Sequence, residues 1–303
     1  MSIRTILCPF SKDFDAPAVQ LALSVARDLP AHVVGTYVEP EVRRTATPYI
    51  PASAAVGTGY GRPVAPAMDM YAEATRARDQ AAASAKSHFE QLCRQHGVVC
   101  LEPGERQPEG DHSLPSASFE RHVGTLAQVI GQHAHGYDMV VTESGSVAKQ
   151  AKPARDAIDA ALLQAGRPVL LAPRRPPEHI GGRVLVAWKN SPQCWHALSQ
   201  ALPFLERAEE IVLLHAGNGR DEMHAAEEAV DYLAWHAIRA SAVEHEPGPG
   251  GVADYLMSQC NERHVDLMVM GAYSHSPLRE MLLGGVTRSV VTHVAATPVL
   301  MTH

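Results

Sequence analysis

The residues best placed to do chemistry lie near the C-terminus, between Met270-Gly271-Ala272-Tyr273-Ser274-His275 and Gly284-Gly285-Val286-Thr287. Gly271 ends an apolar run and permits a sharp turn out of it. Gly284 and Gly285 open a helix-period segment that extends to Val294. The free N–H groups and positive dipole end of such a helix start favour an anion. Thr287 adds a hydroxyl donor. Together these residues make a phosphate cradle, although the lysine of a Walker loop is missing. Little else competes with it. The 17 histidines are scattered, and none, His133 and His135 included, falls into HExxH spacing or beside paired CxxC knuckles. Cys93 and Cys100 lack a matching histidine pair, while Cys8 and Cys194 read as small apolar fillers. No Ser-His-Asp, Cys-His or paired-carboxylate spacing argues for catalysis, so no catalytic residue and no metal ligand is assigned.

The elements that must position this loop occur twice. Ile6-Leu7-Cys8-Pro9-Phe10-Ser11 has its counterpart in Val184-Leu185-Val186-Ala187-Trp188-Lys189, and each is followed by a helix-period segment, 16–29 or 194–205. Such a pair reads as a strand-helix unit of a parallel sheet. Further on, Tyr137-Asp138-Met139-Val140-Val141 matches Val265-Asp266-Leu267-Met268-Val269, and Arg167-Pro168-Val169-Leu170-Leu171 matches Thr297-Pro298-Val299-Leu300-Met301. The order is the same in both halves, so the chain is a duplication. We predict a first domain at 1–173, a Pro/Gly-rich linker at 174–182 and a second domain at 183–303. The first copy carries two loop-like insertions, 43–68 and 103–115. The glycine cluster 57–61 within the first reads as flexible loop rather than phosphate cradle, since no strand leads into it. Near-continuous apolar strands imply two tandem doubly wound, Rossmann-like parallel-sheet domains of the α/β class, with helices on both faces. Ligands of such sheets sit beyond the carboxyl ends of the strands, which directs attention to the turns after the first and fourth strands.

The loop resembles that of the universal stress protein family, whose fold is adenine-nucleotide-hydrolase-like. Its nucleotide-binding members carry Gly-x2-Gly-x9-Gly-(Ser/Thr) between the fourth strand and the last helix. Here Gly271 and Gly284 match at the full spacing, with Ser274 and Gly285 at the other two positions. The resemblance covers both halves apart from the insertions. It implies ATP or another adenine nucleotide as ligand, contacted by Met270, Gly271, Ser274, Gly284, Gly285, Val286 and Thr287. Where nucleotide binders place an Asp after the first strand, this chain has Trp188-Lys189-Asn190-Ser191. Lysine can only donate hydrogen bonds, so Lys189 would attract phosphate charge and Asn190 would serve as the acceptor. In the first copy Glu143 stands where Gly271 does, and Ala154-Arg155-Asp156-Ala157 replaces the segment 284–287. Carboxylates there repel a phosphate, so the first copy is expected to bind no nucleotide. The resemblance further implies that the last strands of the two halves pair edge to edge within the chain, as a pseudo-dimer open to further homodimerisation.

Composition narrows the partners. A net charge of −7 over 303 residues argues against nucleic acid. No stretch reaches the ~18 apolar residues of a membrane helix. The absence of a signal layout at the N-terminus and five scattered cysteines lead us to expect a cytoplasmic protein. The reading that follows is a nucleotide-binding stress-response protein. Its alternative is a nucleotide-free scaffold or interaction module using loop 43–68, and a slow nucleotide hydrolase ranks last.

Overall fold

A computed structural model describes residues 2–11, 17–41, 65–105, 114–144, 151–217, 219–273, 285–293 and 296–303, with backbone alone at 65–71, 151 and 292–293. In the N-terminal half the elements are β1 (Thr5–Phe10), α1 (Pro17–Asp28), β2 (His32–Glu39), α2 (Ala65–His96), β3 (Val99–Leu101), β4 (Ser116–Val123), α3 (Leu126–His133), β5 (Met139–Glu143), α4 (Ala151–Asp159) and β6 (Val169–Ala172). The C-terminal half follows with β7 (Arg183–Trp188), α5 (Pro192–Leu205), β8 (Glu210–Ala216), α6 (Arg220–Trp235), β9 (Ser241–His245), α7 (Gly251–Glu262), β10 (Leu267–Gly271), α8 (Gly285–His293) and β11 (Val299–Thr302). A π turn, Ala160–Gln164, extends α4.

The described strands form one 11-stranded sheet in the order β3-β4-β2-β1-β5-β6-β11-β10-β7-β8-β9. Neighbours are parallel within each half, and the two halves meet where β6 and β11 run antiparallel. Leu171, Leu170 and Val169 lie opposite Val299, Leu300 and Met301, all fully buried. Leu170 and Leu300 face one core while the other four face the second, so both sides of this junction are apolar. The pairing also removes two sheet edges that would otherwise expose unpaired N–H and C=O groups. Helices α1, α2, α5 and α6 cover one face, and α3, α4, α7 and α8 the other.

Local sequence explains how the strands are started. The Asp138 carboxylate accepts from the Arg4 and Thr5 N–H groups at 2.8 and 2.9 Å, holding the start of β1. Asp266 repeats this for β7, accepting from Gly181, Gly182 and Arg183 at 2.7, 3.1 and 3.1 Å. The segment 174–182 thereby ends in a fixed clamp, and Arg27 also holds it by donating to the Glu178 carbonyl at 2.6 Å. Ser191 and Pro192 start α5: the serine side chain accepts from the Cys194 N–H, and the proline occupies the first turn, where no N–H partner is needed.

Two expectations need correction. The insertion 43–68 is not loop to its end, because α2 begins at Ala65; its remainder, the glycine cluster included, lies outside the described residues. The N-terminal half also has an additional edge strand, β3, just before the 103–115 insertion. Among the described residues no helix is long and apolar enough to cross a membrane.

Candidate functional site

In the C-terminal half β7 leads outward to β8 and β9, and the chain then returns to place β10 on the other side of β7. The order reverses at that point, and such a reversal leaves a crevice beyond the strand ends. A cavity of about 340 Å³ fills it. Its floor is the end of three strands: Ala187 and Trp188 of β7, Leu214, His215 and Ala216 of β8, and Met270 and Gly271 of β10. Val252 and Leu256 of α7 form an apolar wall, and Gly285, Val286 and Thr287 bring in the first turn of α8. Lys189 and Ser191 line it from the turn between β7 and α5, and Glu222 from the first turn of α6.

Met270, Gly271, Lys189, Gly285, Val286 and Thr287 therefore come together around one space. Ser274 and Gly284 lie outside the described residues. Asn190 is not part of the lining: its side-chain oxygen accepts from the Trp195 indole N–H at 3.3 Å, and its own N–H donates to Glu222 at 2.6 Å. The acceptor expected of Asn190 is already engaged. His215 and Glu222 line the cavity without having been expected, because only the turns after the first and fourth strands were considered. The end of the second strand borders the same crevice, and that is the signal that would have found them.

The two glycines have different reasons to be glycine. A Cβ on Gly271 would stand 2.7 Å from the Cys194 backbone nitrogen and 2.8 Å from the Gln193 carbonyl carbon. Close packing of β10 against the start of α5 thus demands this residue, rather than a left-handed turn. Positive φ falls instead on Tyr273, at 61°. Its hydroxyl donates to Asp159 of α4, so the chain leaving β10 is tied to the N-terminal half. A Cβ on Gly285 would meet no described atom within 4 Å. Packing among the described residues gives no reason for that glycine. It opens a nine-residue helix with no acidic residue in its first turn, and the leading N–H groups and dipole of a helix favour an anion. Cys194 is no nucleophile: burial pushes its thiol up to about 11, and its sulfur donates to the Ala187 carbonyl.

The corresponding strand ends of the N-terminal half carry different side chains. Phe10 takes the strand-end place of Trp188, and Tyr37 pairs with it as His215 pairs with Trp188. Phe89 of α2 stacks on Phe10 with ring centres 6.3 Å apart, and Phe119 lies 5.9 Å from Phe89. Beyond them the buried carboxylate of Glu39 is held by Arg78 at 2.9 Å and by a forked contact from Arg121. Glu143 ends β5 as Gly271 ends β10. The segment 154–157 does not open a helix, however: α4 already begins at Ala151, Asp156 points outward to solvent, and Arg155 pairs with Asp159 at 3.9 Å. Among the described residues no group of three or more His, Cys, Asp or Glu could hold a metal ion.

The family model described as the universal stress protein family matches residues 182–303. Residues 182–303 are a universal stress protein domain. Over the whole chain, the crystal structure of a universal stress protein from Archaeoglobus fulgidus is similar at a TM-score of 0.65 and 14% identity, covering 99% of this chain and 96% of that one. A putative universal stress protein from Pseudomonas aeruginosa follows at 0.53 and 16%, covering 99% and 93%. At such identities the likeness is one of fold, and it covers the N-terminal half as well. No curated protein matches the chain.

Proposed function

We propose that the C-terminal universal stress domain binds an adenine nucleotide or a closely related phosphorylated ligand, and that the N-terminal domain binds none. The observation that carries this is the first turn of α8 lining the cavity through a glycine that packing among the described residues does not require. With no Cβ at Gly285, a phosphate oxygen can approach the leading N–H groups, and Lys189 at the mouth adds positive charge. The rest of the lining suits a nucleoside: strand ends and α7 offer apolar surface, and about 340 Å³ falls within the ~300–1,000 Å³ usual for small-molecule sites. In the N-terminal half, Glu143 stands where Gly271 does, and a carboxylate there would repel a phosphate. The protein is accordingly a nucleotide-responsive stress-response protein, with one binding domain and one partner domain.

A second reading, a ligand-free scaffold, has one observation in its favour: the close approach of α5 accounts fully for Gly271. Mass spectrometry of small molecules that co-purify with the intact protein, followed by calorimetric titration of ATP, ADP and AMP, decides between them. A nucleotide bound at one per chain supports the binding domain. An empty protein with no measurable affinity for any of the three overturns it in favour of the scaffold.

A further inference from the structure

Glu222 is the carboxylate of the cavity, and its position is fixed. Its Oε2 accepts the Asn190 N–H at 2.6 Å, while the Asn190 side chain is itself held by Trp195. That contact spans 32 residues of sequence and ties the first turn of α6 to the turn between β7 and α5. Among the described residues Glu222 forms no salt bridge, although Lys189 lines the same cavity. A carboxylate only accepts hydrogen bonds, and Glu222 is half-buried at the cavity, so Oε1 and the second lone pair of Oε2 are open to water or to the donors of a ligand.

The place of Glu222 in the sheet says which part of a ligand would supply them. It enters the cavity from the β8 side and from the face covered by α5 and α6, whereas α8 enters from the β10 side and the opposite face. Strands β8 and β10 flank β7, about 10 Å apart at a normal strand spacing. The α8 end of the cavity thus favours negative charge, and Glu222 supplies a hydrogen-bond acceptor on the β8 side. A ligand spanning both carries its anionic group at α8 and neutral donors at Glu222.

We propose that Glu222 is a specificity-determining residue: its carboxylate accepts from the sugar hydroxyls of the bound nucleotide, so the domain prefers ribonucleotides to 2′-deoxyribonucleotides. This inference rests on the nucleotide reading given above. Lys189, at the end of the first strand, has no acceptor to offer, and the chain supplies the carboxylate from another element.

The test is calorimetric titration of the full chain with ATP and with 2′-deoxy-ATP, in the wild type, Glu222→Gln and Glu222→Ala. Glu222→Gln keeps an oxygen for the Asn190 N–H and so guards the fold; circular dichroism checks both variants. The wild type is expected to bind ATP roughly 10-fold or more tighter than the deoxy form, the loss typical of one hydrogen bond to a charged group. Glu222→Ala should abolish that preference by weakening ATP while leaving 2′-deoxy-ATP within about two-fold, and Glu222→Gln should reduce it, a neutral acceptor being the weaker partner. Equal affinity of the wild type for both nucleotides overturns the role of Glu222 and leaves the nucleotide reading standing. A preference that survives intact in a folded Glu222→Ala protein does the same. Failure of the wild type to bind either nucleotide overturns both.

Discussion

Replacing Gly285 by Ala separates the needs of the ligand from those of the fold. The added methyl meets no described atom within 4 Å, so the substitution carries no packing cost against the described residues. At the first position of α8 it removes a glycine from a helix, which is worth up to ~1 kcal/mol in stability and less at a helix end. For a chain of this size the melting temperature should rise by no more than ~2 °C. Binding should move the other way. A methyl group on the wall of the cavity keeps a phosphate oxygen from the leading N–H groups of α8, and losing one charge-assisted hydrogen bond costs ~1.5–3 kcal/mol. That corresponds to a roughly 10- to 150-fold weaker Kd. Gly271→Ala is the control. Its methyl would stand 2.7 Å from the Cys194 backbone nitrogen, and backbone cannot move aside cheaply, so a loss of ~1–3 kcal/mol of stability is expected whether or not ligand is present. Thermal melts and ATP calorimetry on both variants provide the assay. A stable Gly285→Ala protein that binds ATP as well as wild type would refute the assignment of α8 as the phosphate site.

Four further substitutions probe the frame of the two halves. Burial alone would raise the Glu39 carboxyl, but the hydrogen bonds and charges of Arg121 and Arg78 outweigh it and hold the group below its ordinary value. Its contribution to stability is therefore complete above pH ~4.5 and lost as pH falls further. Glu39→Gln should cost ~1–3 kcal/mol in urea unfolding at pH 7, with a smaller deficit near pH 3; an equal deficit at both pH values would contradict the pairing. Asp138→Ala and Asp266→Ala each leave strand-starting N–H groups without their acceptor, and each should cost at least ~2 kcal/mol by chemical denaturation. A large effect at one site and none at the other would break the equivalence of the two clamps. Tyr273→Phe removes the hydroxyl that donates to Asp159 and should lower stability by ~1–3 kcal/mol, an effect that disappears in an Asp159→Ala background.

What the sequence by itself determined is the plan of the molecule. Runs such as Val184-Leu185-Val186 and Leu267-Met268-Val269 are apolar on successive positions, which fits a strand covered on both faces, and their recurrence in the same order exposes the duplication. The placement of Gly285–Thr287 at a helix start agrees with that plan, while the pairing of β6 with β11 agrees with what the family resemblance implies. These features are local, or repeat local patterns, and so can be read along the chain. The identity of the cavity wall cannot. Glu222 reaches the site because α6 crosses back over the sheet and its first turn meets Asn190, a contact with no signature in spacing. Gly271 is explained by how near α5 lies to β10, and Asn190 is withdrawn from the site by Trp195. In the first copy Glu143 already suggested an unsuitable site, but it took packing to bring Phe89 of α2 onto Phe10 and two arginines onto Glu39. Periodicity records which face of an element is buried. Which side chain ends up in a crevice between elements depends on helix approach and crossover geometry, and those exist only once the sheet is assembled.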